Sequence, residues 1–130
     1  MKKLVTCLRL ACFAFAIGAA PARAQDVAVV AKDHYKVLVD NAYVRVVEST
    51  LKPGEKDPIH THPAGWFYVT QPGTMKVVHQ DGRVERWEAK AGKQGWSDAE
   101  GPHTSENVGK TTMGFVLVEV KSAASIPAKR

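Results

Sequence analysis

Cysteine is nearly absent from this sequence of 130 residues: Cys7 and Cys12 are the only two, both near the amino end. Beyond them there is no thiolate to serve as nucleophile or metal ligand, and no disulfide staple. Long apolar runs are missing too, with one exception. Residues 4–20 are mostly Leu, Val, Ala, Phe and Ile, led by Lys2 and Lys3 and followed by the small-x-small pattern Ala22-Arg23-Ala24. That pattern predicts a secretory signal peptide over 1–24, cut before Gln25. The run is broken by Arg9 and is short for a membrane span, which takes about 20 apolar residues. The expected location is periplasmic or secreted, with no membrane attachment once the leader is gone. Both cysteines leave with it.

A surplus of charge is also missing from the remainder. Lys2, Lys3, Arg9 and Arg23 are four of the 18 basic residues, and no acid lies among residues 1–24. Residues 25–130 therefore hold 14 basic and 13 acidic side chains, a net near +1 against +5 for the whole sequence. Nothing here calls for nucleic acid or an anionic surface as partner. A Ser-His-Asp hydrolase has no nucleophile motif to stand on. The 106 residues after the leader suffice for one core and one domain.

Helical periodicity is absent as well, and what remains reads as all-β. Val27 to Ala31 is a short apolar stretch that suits a first edge strand. Tyr35–Val39 and the β-branched run Val44–Leu51 follow, separated by a turn at Asp40-Asn41. Pro53-Gly54 ends the second of these. Ile59–His62 is the next strand, broken by Pro63-Ala64-Gly65 and continued by Trp66–Thr70. Met75–His79 pairs across the hairpin signal Asp81-Gly82 with Arg83–Ala89. A looped stretch runs from Ala91-Gly92 through Gly95, Gly101 and Pro102. His103–Asn107 and Thr112–Lys121 are the last strands, and 122–130 is a small, polar, flexible tail. Turn signals about every ten residues predict a sandwich or barrel.

Within that frame the histidines stand out. Alternate residues of a strand share a face, so His60 and His62 point the same way and can form a clamp. His103 stands on a later strand. Three converging imidazoles can hold a divalent metal with a position left open for chemistry. His34 and His79 read as surface or partly buried polar residues.

The spacing around these histidines carries a resemblance. Gly54, five residues, His60, one residue, His62, three residues, Trp66, six residues, Gly73 is similar to the first signature of the cupin superfamily. Gly92, five residues, Asp98-Ala99-Glu100, two residues, His103, three residues, Asn107 resembles the second, with Asp98-Ala99-Glu100 where Pro-x-Gly is usual. The resemblance implies a small single-domain cupin over 25–121, a jelly-roll β-barrel with its site in the mouth. It implies His60, His62 and His103 as metal ligands and a divalent transition metal as cofactor: iron, manganese, nickel, copper or zinc.

It also exposes a departure. The usual acidic ligand is replaced by Trp66, and an indole is not a ligand. Three neutral imidazoles leave a +2 charge uncompensated. Asp98 or Glu100 can supply the missing carboxylate. Trp66 and Tyr68 are expected to share the inward face and, with Trp96 at the rim or anchoring its loop, to bind an apolar or aromatic small molecule. Trp87 is expected to pack against the other sheet or in a homodimer contact. Two functions fit: a metal-dependent enzyme with oxygenase-like or isomerase-like chemistry on a small molecule, or a non-catalytic module that binds a small ligand or metal.

Overall fold

The computed structural model describes residues 25–121. The signal peptide expected over 1–24, Cys7 and Cys12, and the tail expected over 122–130 all lie outside the described residues. The elements in chain order are β1 (Gln25–Asp26), α1 (Val27–Val30), β2 (Tyr35–Asp40), β3 (Val44–Leu51), β4 (His60–His62), β5 (Gly65–Gln71), β6 (Gly73–His79), β7 (Val84–Ala89), β8 (Gln94–Ser97), β9 (Glu100–Asn107) and β10 (Met113–Val120).

They form two five-stranded sheets, ordered β1-β4-β9-β6-β7 and β2-β3-β10-β5-β8. Inward residues of both sheets meet in the middle, as alternation demands. From the second sheet come Val47, Leu51, Val69, Met113 and Phe115; from the first come Val77 and Ala89. Trp87 stacks on Phe115 across the interior, with ring centroids 5.5 Å apart. It therefore packs against the other sheet, one of the two positions its alternation allowed.

Two sequence expectations are corrected. Val27–Val30 is a single helical turn and not an edge strand. The cause is local: the Asp26 carboxylate accepts from Ala28 N–H at 2.9 Å, an N-cap that starts a helix. The strand role passes to Gln25–Asp26, which runs parallel to β4. The second correction is the stretch expected to loop: it holds the first three residues of β9 (Glu100–Pro102) and, before them, the whole of β8. Its glycine hid it, but Trp96 pairs with Trp66 and Gln94 with Tyr68 along β5.

The turn at Asp81-Gly82 forms as expected. Gly82 takes φ of +88°, open to glycine at no steric cost, and Asp81 accepts from Arg83 N–H at 3.0 Å. At the far end of the interior Asn107 is fully buried. It donates to Leu51 O and Thr111 O and accepts from Gly109 N–H. One amide thus ties the β3, β9 and β10 ends together, with both its donor hydrogens and its oxygen engaged. The result is a barrel with an apolar floor and a histidine-bearing mouth.

Candidate metal centre

His60 lies on β4, His103 directly opposite on β9, and His79 opposite His103 on β6. One row across the first sheet thus carries three histidines. His62 follows His60 through a register shift in the β4–β9 pairing. Centroids of the His60 and His62 rings are 4.9 Å apart, those of His60 and His103 4.4 Å, and those of His62 and His103 5.6 Å. One ring nitrogen from each of His60, His62 and His103 lies within 4.8 Å of the others. The structure brings together the three residues expected as ligands.

The ring orientations are fixed from behind. His60 Nδ1 lies 2.8 Å from Pro58 O, and His103 Nδ1 lies 2.8 Å from Gly101 O. A carbonyl only accepts, so both Nδ1 atoms carry the proton and both Nε2 atoms keep a bare lone pair. His62 Nδ1 is 3.2 Å from Glu119 Oε1, which orients it the same way. Burial pushes His60 down to about 3; the bond to the Pro58 carbonyl opposes this, while the nearby His62 and His103 add to it. Burial likewise lowers His103. Both rings are therefore neutral near neutral pH, the form that binds metal.

Two observations test whether a cation fits. His60 Nε2 is buried without any hydrogen-bond partner, an arrangement that costs energy unless something occupies it. His103 Nε2, a lone-pair atom, faces Glu100 Oε2 at 3.4 Å. Two acceptors aimed at each other favour a cation between them. Glu100 stands opposite His62 in the β4–β9 register. Of the two acids expected as replacements for the missing carboxylate, it is Glu100 that reaches this position.

A cavity of about 300 Å³ opens beside the triad. His62, His79, His103, Glu85 and Glu100 line its polar side; Phe67, Met75, Trp87, Phe115 and Leu117 line its apolar side. His79, read from sequence as a polar residue near the hairpin, is also a wall of this cavity. Its Nε2 lies 3.3 Å from Glu85 Oε1, close enough for an ion pair but not aligned for a hydrogen bond. Tyr35 is a further wall residue that sequence reading missed. Its hydroxyl donates to Asp57 at 3.2 Å, and Asp57 in turn contacts His34 at 2.5 Å.

The three expected substrate-binding aromatics are placed differently. Trp66 and Tyr68 do share a face and stack at 6.0 Å. However, Val69 is fully buried and Phe67 packs on the core, so alternation sends Trp66 and Tyr68 to the outer face. Trp66 still borders the cavity edge, whereas Tyr68 and Trp96 do not line it. Tyr68 is 36% and Trp96 60% exposed. The inward aromatic of β5 is Phe67.

Glu119 and Arg45 were also missed. A signal was present. Met113, Phe115, Leu117 and Glu119 form one alternating phase of β10, and Arg45, Val47, Ser49 and Leu51 one of β3. Opposite charges end both inward phases and pair across the ladder.

No protein-family model and no curated protein matches the sequence. Solved structures do match. A cupin domain from Bordetella pertussis Tohama I is 22% identical, with a TM-score of 0.62, over 68% of this chain and 92% of that one. An RmlC-like cupin protein with a double-stranded β-helix from Methanocaldococcus jannaschii is 17% identical, with a TM-score of 0.55, over 66% and 77%. The polyketide cyclase RemF from Streptomyces resistomycificus is 24% identical, with a TM-score of 0.50, over 66% and 63%. The shared property is the fold: this chain is a cupin-type double-stranded β-helix, the jelly-roll barrel that its spacing implied.

Proposed function

We propose that this cupin-fold chain binds a divalent transition metal through His60, His62 and His103 and acts on a small, largely apolar organic molecule held in the adjoining cavity. The observation that carries the reading is the buried, partnerless Nε2 of His60 beside two other imidazoles whose Nδ1 atoms are engaged. Iron, manganese, nickel, copper and zinc all accept imidazole. Glu100 is the carboxylate best placed to add a charged donor.

A bound divalent ion would act as a Lewis acid toward an oxygen of the ligand. The chain's own residues would do the rest. Phe67, Trp87 and Phe115 would pack the apolar body of the ligand and exclude water. His79 would meet a polar group beside His103. The cavity volume lies at the small end of the range for organic ligands, which suits a compact substrate. Oxygenase-like or isomerase-like reactions fit this combination, and one protein of the same fold is a polyketide cyclase. The leader expected over residues 1–24 supports a periplasmic or secreted setting.

The test is metal analysis of the purified full chain. About one divalent transition metal per chain is expected, lost in His62→Ala. Wild-type protein that takes up none of the five metals would sink the reading. Dioxygen uptake by metal-loaded protein across a diverse small-molecule set separates an oxygenase from a non-catalytic binding module.

A further inference from the structure

The three expected ligands are neutral, and the acid usual among them is replaced by Trp66, which faces outward. Yet a carboxylate touches the site from behind. Glu119 is buried, its side chain 4% exposed. Its Oε1 lies 3.2 Å from His62 Nδ1. Its Oε2 accepts from Arg45 Nε at 2.5 Å, and Arg45 NH2 is equally close. Arg45 NH1 donates at 2.5 Å to Asp26 Oδ2. The chain of groups is thus carboxylate, guanidinium, carboxylate, ending on a metal-facing imidazole.

Its charge can be counted. Glu119 paired with Arg45 alone is neutral, and a neutral pair would do little for a cation beyond His62. Asp26 adds a second negative charge, so the chain as a whole carries −1. Asp26 also draws on Arg45 from the far side and leaves more of the Glu119 charge for His62. A carboxylate accepting from the back nitrogen of a ligating histidine fixes its tautomer and raises its basicity. Burial of Glu119 strengthens both effects, because the interior screens charge less than water.

We propose that Glu119, backed by Arg45 and Asp26, is a positioning residue that supplies through His62 the negative charge the ligand set lacks. The proposal rests on the metal reading of the triad. It concerns how the site holds a cation and not what reaction follows.

The probe is zinc alone, its affinity measured by chelator competition on the full chain. Wild type should bind. Glu119→Gln keeps the shape and a carbonyl acceptor but removes the charge, and should bind zinc about ten- to a hundredfold more weakly. Asp26→Asn is the second variant. Asn retains the helix cap and lies outside the core, so folding is not at issue; it should weaken binding in the same direction by less. A third readout needs no substitution: nitrogen-15 spectra of the metal-free protein at alkaline pH should show the His62 proton on Nδ1. Zinc binding by wild type with unchanged affinity in both variants, or a His62 proton on Nε2, overturns this proposal alone. A wild type that binds no zinc, and none of the other four metals, overturns the metal reading and this proposal with it.

Discussion

His79 stands directly opposite His103 in the β6–β9 ladder, with ring centroids 5.8 Å apart. The pairing places a non-ligand imidazole beside one expected to ligate, and it makes the mouth of the barrel polar on one side only. The opposite wall belongs to Phe67, Phe115 and Leu117. A ligand entering here meets charge on one side and hydrocarbon on the other.

Position 66 is where the usual acidic ligand would stand, which makes Trp66→Glu the natural first attempt to strengthen the site. The outer placement of Trp66 predicts that it fails. Metal affinity measured by chelator competition should be unchanged, because the new carboxylate would project beside Tyr68 and Trp96. A clear rise in affinity would show that position 66 reaches the metal.

Glu100 carries the opposite expectation. Glu100→Gln should weaken divalent-metal binding by about tenfold or more, since it removes the carboxylate nearest His103 Nε2. Metal-free stability should hold or rise, because the facing acceptors would no longer repel. Both follow from one titration and one urea melt. Unchanged affinity would leave the three histidines without a fourth protein donor.

Much of this was legible in the sequence. Strand β3 was read to the residue, β2, β6, β7 and β10 lie within two residues of the expected runs, and β9 was expected only from His103. The histidine triad was legible because spacing is local and alternation keeps His60 and His62 on one side. What failed depended on contacts between distant segments. The inward or outward phase of β5 is settled by its pairing with β10, and nothing in Trp66-Phe67-Tyr68 alone chooses between the two faces. Glu119 meets His62 across 57 positions. The α1 turn was missed because a capping Asp26 outweighs the β-preference of three valines.

Acid should destabilise the metal-free protein. His60 is pushed down to about 3 from 6.5 by burial, and His103 is lowered in the same direction. Between those values the unfolded chain binds protons that the folded chain refuses. The stability is fully present above about pH 6.5 and is lost as pH falls through the window. Each histidine contributes a slope of at most about 1.4 kcal/mol per pH unit. Asp57, raised by burial, works the other way and softens the acid end. Urea midpoints of metal-free protein should fall from about pH 7 to about pH 5; a flat profile would contradict the buried, neutral state of both rings.

Gly65 is a fixed point of the site. A Cβ there would sit 2.2 Å from the Val118 carbonyl oxygen, in a backbone-to-backbone clash. Gly65 pairs with Glu119, so Gly65→Ala must part β5 from β10 at the residue that holds His62. A loss of about 1–3 kcal/mol and weaker metal binding are expected together. Gly101→Ala, with nothing within 4 Å, should change stability by less than about 0.5 kcal/mol. Equal effects in the two variants would show that the close approach at Gly65 is not a constraint.

Strand β1 is only two residues long, and through Asp26 it is the outer anchor of Arg45. An element that short opens on its own far more readily than the barrel unfolds. Each opening would release Arg45 onto Glu119 alone and dim the charge felt at His62. The affinity of the metal centre would then be an average over the fraying of its weakest strand. A tag or fusion joined on the amino side of Gln25 would be felt at the histidines even though it touches none of them.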